Sequence, residues 1–320
     1  MQLKPNTMLI KDSETLRRLT GSFYASNDFE RIEQDIILET EDLAKIVGDT
    51  IIEKAERIAD EEAPTETDAS FLKHVQLPIA LMAVYRHFQS NIVSHDQSTR
   101  KIKVDNDNEK LPWEWMLDRD DAAHLSKAQR AIDRLILFLD KSNYSEWTDS
   151  PQKKATKRLF VNNTDVFGEY YPIDNSARFY YLAIPLLQEI QVVKLREVLA
   201  GDYSDLLSGF QSGGLNEYQI ELLDLTRRAQ VLGAIALAVR RLNTQVLPEG
   251  IVKALKSEGQ TVNATRPASV DEIAYFSKRI EIDAYDYMDK IKRKRFENSP
   301  EYLEYKMLPT NDPNDKFAST

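Results

Sequence analysis

The two halves of this 320-residue chain resemble each other at a separation of about 150 residues. Four segments of the first half match four of the second half, in the same order and at nearly one offset. The matched residues of the first half are Leu9, Ile10, Ile37, Asp42, Leu43, Ile46, Ile51, Ile52, Ala80, Leu81, Arg86, Ile132, Asp133, Leu139, Asp140 and Lys141. Their counterparts are Leu159, Phe160, Ile184, Glu189, Ile190, Val193, Val198, Leu199, Ala234, Ile235, Arg240, Ile282, Asp283, Met288, Asp289 and Lys290. Chance similarity between amphipathic helices explains one match more easily than four, so the pattern favours a duplicated unit of the four-helix type.

The composition and the hydrophobic periodicity both predict helices. Only 10 glycines occur in the chain, and apolar residues recur at three-to-five-residue spacing over 38–52 and 186–198. Further helical patterns cover 71–93, 126–139, 217–247 and 271–295, and Ser269 with Glu272 forms a capping-box signature before the last of these. We therefore predict a mainly α protein.

Polar stretches rich in Gly, Pro, Ser and Asn predict breaks at 61–66, 105–112, 143–154, 207–214 and 259–267. Gly209, Gly213 and Gly214 make the fourth break resemble a flexible loop. The break at 143–154 divides the chain almost in half. The predicted organisation is one helical unit over 1–150, a related unit over 151–296 and an extended C-terminal arm over 297–320.

The charge is distributed unequally between the halves. Residues 1–150 contain 19 basic and 29 acidic side chains, whereas residues 151–320 contain 23 of each, so the net charge of −10 belongs to the first half. This asymmetry indicates two units with different neighbours, and it argues against a uniform nucleic-acid binder. The longest apolar run, 231–239, is far shorter than the ~20 residues of a membrane helix, and the first residues lack a signal-peptide core.

The sequence offers little support for catalysis. It has no cysteine, no phosphate-binding glycine loop and no nucleophile elbow. The histidines at 74, 87, 95 and 124 lack the third ligand of a metal set, and 105–109 opens like a calcium loop but has Lys110 where glycine is needed. We therefore expect a non-enzymatic protein with no catalytic residue, cofactor or metal site.

Three groups of residues are candidates for partner binding. They are the basic helix end Lys290, Lys292, Arg293, Lys294 and Arg295, the loop aromatics Trp113 and Trp115, and the arm residues Tyr302, Leu303, Tyr305, Met307, Leu308 and Phe317. The cations either complement the helix dipole or contact phosphates. The tryptophans either cover their own bundle or lie in an interface, where aromatic residues are enriched.

The residues 157–161, 170–173 and 179–185, with the helical blocks that follow, resemble an uncharacterised family encoded by phages and prophages of Bacteroidetes. The repeated helical unit is also similar to the all-α head–tail connector (adaptor) proteins of tailed phages. That likeness rests on hydrophobic patterns, and this chain is about twice as long as the usual connector.

The resemblance implies a virion structural protein, made in the host cytoplasm and located in the neck. Such a protein forms a ring under the portal, extends the DNA channel and docks tail components. Its partners would be the portal, neck and tail proteins, further copies of itself, and packaged DNA that passes without sequence specificity; no membrane partner is expected. The alternative is a soluble helical module that binds a protein or nucleic acid inside the host cell.

Overall fold

A computed structural model describes residues 8–21, 29–91, 94–95, 100–101, 113–242, 247, 251 and 270–302. The chain forms two compact units. The first comprises Met1–Ala155 with Ser176–Tyr181, and the second comprises Thr156–Asn175 with Leu182–Thr320. The sequence predicts a boundary between residues 150 and 151, whereas the units divide after Ala155 and the segment Ser176–Tyr181 belongs to the first unit.

The first unit is built on four longer helices and several short elements. In chain order these are α1 (Ser13–Thr20), α2 (Glu30–Val47), α3 (Asp49–Ala59), α4 (Glu66–Ser90), the antiparallel pair β1 (Ser94–His95) and β2 (Arg100–Lys101), α5 (Glu114–Lys141), α6 (Ser145–Thr148) and α7 (Pro151–Thr156). Local sequence explains the limits of several helices. The Asp12 carboxylate caps α1 by accepting from the Thr15 backbone N–H at 2.6 Å, and Gly21 ends α1 at a φ of 75°.

The second unit follows a similar order. Its elements are α8 (Thr164–Tyr170), α9 (Ala177–Glu189), which starts in the first unit, a π-helical segment (Ile190–Leu195), α10 (Arg196–Leu199), α11 (Asp202–Ser212), α12 (Glu217–Arg241) and α13 (Val270–Glu297). Asn163 caps α8 as Asp12 caps α1, by accepting from the Val166 backbone N–H at 2.8 Å. A reciprocal capping box of Asn216 and Gln219 starts α12.

One long helix lies at the centre of each unit. In the first unit α4 contacts α1, α2, α3 and α5, and in the second unit α12 contacts α8, the π-helical segment and α13. Both central helices have 25 residues, and α5 and α13 both have 28. Apolar residues of α4, such as Phe71, Val75 and Ile79, are almost fully buried, as are Ala234, Ile235 and Ala238 of α12 in the second unit.

The mainly α prediction is confirmed, and several predicted boundaries are corrected. Helix α5 begins at Glu114, well before the predicted start at 126, and α12 ends at Arg241, before the predicted end at 247. The predicted loop at 207–214 is mostly helix α11, which contains Gly209 and ends at Gly213 with a φ of 75°. The predicted break at 143–154 contains α6 and most of α7.

The C-terminal region also differs from the prediction where the structure describes it. Glu297 is still part of α13, and Pro300 to Tyr302 are helical, so the chain does not become extended at 297. The remainder of the predicted arm, the predicted break at 105–112 and Ser269 of the predicted capping box lie outside the described residues. Within the described part of the chain, no helix combines the length and the apolar character needed to cross a bilayer.

Candidate functional site

A groove of about 200 Å³ lies in the second unit between the π-helical segment, α12 and α13. We call it the second-unit groove. Its lining residues are Glu189, Ile190, Val193, Lys194, Gly233, Ala236, Leu237, Arg240, Glu281, Ala284, Tyr285 and Met288. The groove therefore combines an apolar floor with a charged rim, as protein sites that bind partner side chains commonly do.

Small residues of α12 create the floor of this groove. Gly233 lies directly under Ile190, and a Cβ atom at position 233 would lie only 3.0 Å from the Ile190 side chain. Glycine thus permits the close approach of the π-helical segment to α12, and a larger residue at this position would have to displace the Ile190 side chain. Ala236, one turn further along, keeps the adjacent part of the floor open because its side chain is short.

Polar anchoring fixes the π-helical segment against the rest of the second unit. The buried Gln191 side chain accepts from the Phe160 backbone N–H at 3.1 Å and donates to the Arg158 carbonyl at 2.8 Å. Gln230 of α12 donates to the Gln191 side-chain oxygen at 2.9 Å. Because a π-helix is less favourable than an α-helix, this network holds a conformation that would otherwise rearrange.

Ion pairs define the rim. Arg241 donates to both carboxylate oxygens of Glu189, at 2.6 and 3.0 Å, and this hydrogen bonding lowers the pKa of Glu189. Glu281 lies 3.7 Å from Arg240 and 3.0 Å from Lys278. Lys194 lies 5.8 Å from the centre of the Tyr285 ring. The lining itself therefore holds two cations and two carboxylates, and Arg241 and Lys278 lie beside it as partners of those carboxylates.

The first unit has a smaller groove of about 100 Å³ between α2, α4 and α5. We call it the first-unit groove. Its lining residues are Glu39, Asp42, Leu43, Ile46, Pro78, Ile79, Met82, Arg86 and Ile132. Arg86 lies 3.4 Å from the Glu39 carboxylate at its rim. Burial raises the pKa of Glu39 more than the attraction of Arg86 lowers it.

The two grooves occupy equivalent positions in the repeat. At the offsets found in the sequence, six lining residues of one groove coincide with lining residues of the other. Asp42, Leu43, Ile46, Ile79, Met82 and Arg86 correspond to Glu189, Ile190, Val193, Gly233, Ala236 and Arg240. The size difference follows from two of these pairs, because Ile79 and Met82 fill the space that Gly233 and Ala236 leave open.

A buried glutamine occupies the same position of each central helix. Gln76 of α4 donates to the Leu9 carbonyl at 2.7 Å, and Gln230 of α12 accepts from the Val161 backbone N–H at 3.3 Å. Both glutamines therefore hold the segment that precedes the first helix of their unit. These residues lie 154 apart in sequence, the offset already found for Arg86 and Arg240. The repeat thus keeps the buried glutamine and the segment it contacts, although the backbone group that it bonds differs between the units.

The predicted basic cluster is partly neutralised within the second unit. Arg295 donates to Asp202 at 2.7 Å and to the Val198 carbonyl at 2.9 Å, and Lys294 is paired with Glu221. Lys292 lies 3.0 Å from Asp289. The contacts of Arg295 and Lys294 attach the end of α13 to its own unit, whereas the Lys292–Asp289 pair lies within the helix.

Two members of the basic cluster have a different environment. Lys290 lies 4.4 Å from the centre of the Tyr287 ring, and Arg293 makes no ion pair with any described residue. Both are exposed. The charge that this helix end offers to a partner therefore comes mainly from these two residues.

The predicted tryptophans lie at the start of a helix, which corrects their assignment to a loop. Trp113 is the N-cap residue of α5, and Trp115 belongs to its first turn. Their exposed fractions are 71% and 57%. Of the arm residues, Tyr302 packs edge-on against Phe296 at 5.6 Å between ring centres, whereas Leu303, Tyr305, Met307, Leu308 and Phe317 lie outside the described residues.

The described histidines have structural environments. The His74 ring stacks on Phe138 at 4.2 Å, His87 lies 3.5 Å from Asp35, and His124 lies 3.6 Å from Asp120. Across the part of the chain that the structure describes, no three His, Cys, Asp or Glu side chains are grouped as metal ligands. The grooves, which sequence reasoning missed, are the stronger candidate sites.

Comparison with known proteins agrees with the repeat. A family model matches the chain in two tandem stretches, residues 37–157 and 182–314. No curated protein and no solved structure matches the chain. The two matched stretches contain most of both units, including every residue that lines the two grooves. The chain therefore belongs to the family of unknown function DUF6712 and contains its helical unit twice.

Proposed function

We propose that the chain is a virion structural protein of a tailed phage. In this role it acts as a head–tail connector, or neck adaptor, that forms a ring under the portal, extends the DNA channel and docks tail components. The observation that carries the proposal is the repeated helical unit with an equivalent groove in each copy. An adaptor has to bind two neighbours through two surfaces, and a duplicated unit provides them in one chain.

The difference between the grooves supports two different neighbours. The second-unit groove has an open floor of Gly233 and Ala236, whereas Ile79 and Met82 close the first-unit groove to about half that volume. A side chain that fills the wider groove would clash in the narrower one, so the two sites discriminate between partners by size.

The charge distribution supports a channel protein through which DNA slides. The first half has a net charge of −10, and Lys294 and Arg295 are paired with carboxylates of their own unit. Strong DNA binding requires several cations that are free to contact phosphates. The described surface of α13 provides few of these, which favours passage of DNA over adhesion.

Quantitative mass spectrometry of purified phage particles tests the proposal. We expect this chain at the copy number of the portal subunit. A truncation after Tyr302 keeps the contact between Phe296 and Tyr302, so it should fold but fail to enter particles if the arm docks on the portal. Absence of the full-length chain from particles would refute the neck assignment.

The second candidate function is a helical binding module that acts on a protein or nucleic acid inside the host cell. The observation that favours it is the second-unit groove itself, which would fit a partner side chain in any setting. Salt-sensitive DNA affinity of the isolated protein, combined with its absence from particles, would favour this candidate.

A further inference from the structure

The start of α5 carries three exposed apolar side chains. Trp113, Trp115 and Met116, which we call the tryptophan knob, have exposed fractions of 71%, 57% and 42%. Single exposed apolar residues are common, but two exposed tryptophans and an exposed methionine within four positions concentrate apolar surface at one helix end. Aromatic residues and methionine are enriched in the cores of protein interfaces, and tryptophan is enriched among the residues that dominate binding energy.

The second-unit groove has the complementary shape and chemistry. Its floor is apolar, its volume is about 200 Å³, and two residues of its lip, Val193 and Tyr285, are exposed by 55% and 41%. A large aromatic side chain that entered this groove would cover both lip residues. The first-unit groove has about half the volume, so it is a poorer fit for tryptophan.

The charges around the two surfaces are also complementary. Glu114, Asp118, Asp120 and Asp121 lie in the first turns of α5, with Arg119 as the only cation among residues 113–121. The charged side chains at and beside the second-unit groove have the opposite balance. Lys194 and Arg240 of its lining, together with Arg241 and Lys278 next to it, outnumber Glu189 and Glu281. Such complementarity steers association and fixes orientation.

We propose that the tryptophan knob of one copy of this chain binds in the second-unit groove of another copy. The contact joins two different surfaces, so it is heterologous, and repeating it generates a closed ring or an open filament. The inference adds a contact between copies of the chain to the proposed function, and it rests on that function for the place where the copies meet. The contact is measured on purified protein, whereas the proposed function is measured on virions, so the two fail independently.

Cysteine pairing tests the contact directly, because the chain contains no cysteine. A Glu114→Cys variant, which keeps both tryptophans, is mixed with a Val193→Cys variant under mild oxidation. We expect a disulfide-linked dimer of the two chains. In the control mixture, Leu38→Cys, at an exposed position of α2, replaces Glu114→Cys. The dimer should form at least about tenfold faster in the first mixture than in the control. Equal rates in both mixtures would overturn the proposal.

Association of the full-length protein provides the second measurement. Sedimentation velocity over a concentration series should show assembly, and Trp113→Ala with Trp115→Ala should raise the dissociation constant at least about tenfold. The matched control, Leu38→Ala, removes another exposed apolar side chain of the first unit and should leave the constant unchanged. A monomer at all concentrations, or association that is insensitive to the tryptophans, would contradict the inference.

Discussion

At the scale of single residues, Ala200 has the most unusual backbone in the described chain. It follows α10 with a φ of 43° and a ψ of −117°, and it is exposed. An L-residue is strained in this region, whereas glycine is not. We expect Ala200→Gly to stabilise the second unit by about 1 kcal/mol, measured by thermal or denaturant unfolding. Ala122→Gly in exposed helix α5 is the control and should destabilise by a similar amount.

Glu39 should make stability depend on pH in a defined direction. Burial raises its pKa in the folded protein, so the folded state binds this proton more readily than the unfolded state. The first unit should therefore gain stability as the pH falls through the raised pKa, and Glu39→Gln should remove this gain. Denaturant unfolding of the unaltered protein and of the Glu39→Gln variant over a pH series measures the difference in their pH dependence. Because only Glu39 differs, the comparison separates its contribution from those of Asp35 and Asp133, whose pKa values burial also raises. Identical pH profiles would contradict the assignment.

At the scale of elements, the hydrophobic pattern predicted most helices but not their limits. Gly209 made α11 look like a loop, yet Leu206 of the same segment is fully buried and holds the helix in place. The start of α5 was predicted too late in the chain because Trp113 and Trp115 lie there and aromatic residues are weak helix formers. Tertiary packing determines the limits of both helices, and the local sequence alone carries no information about that packing.

The grooves could not be predicted from the sequence because each is formed by three segments that are distant in the chain. The signal that existed was the contrast between Ile79 and Gly233 and between Met82 and Ala236 at matched positions of the repeat. The π-helical segment left no recognisable pattern, since its apolar residues also fit an α-helix. The repeat itself was visible because it conserves spacing over four elements.

The two buried glutamines should contribute unequally to the free energy of unfolding of their units. Gln230→Leu would leave the Val161 N–H, the Leu187 carbonyl and the Gln191 side-chain oxygen without this partner, whereas Gln76→Leu affects the Leu9 carbonyl. We expect a loss of about 2–4 kcal/mol for Gln230→Leu and about 1–2 kcal/mol for Gln76→Leu. Hydrogen exchange in α12 and α4 measures each unit separately, and an equal loss in both would contradict this reasoning.

At the scale of the whole molecule, the sequence separated two units but could not show that one short segment belongs to the first. Ser176–Tyr181 lies beyond the predicted break at 143–154 that divides the chain, so its sequence position suggests the second unit. Its contacts are with the first. The half-buried Asp133 carboxylate accepts from the Ser176 hydroxyl at 3.1 Å and from the Arg178 backbone N–H at 2.7 Å, and Tyr181 donates to Asp140 at 3.2 Å.

These contacts predict how the chain can be divided. A fragment of residues 1–155 lacks Ala177, which is fully buried in the core of the first unit, and removes both donors of the half-buried Asp133 carboxylate. A fragment of residues 1–181 keeps all of them, so it should be more stable by at least about 3 kcal/mol in denaturant unfolding. Asp133→Ala in the longer fragment is the matched variant and should remove part of the difference. Equal stability of the two fragments would show that the segment does not contribute to the first unit.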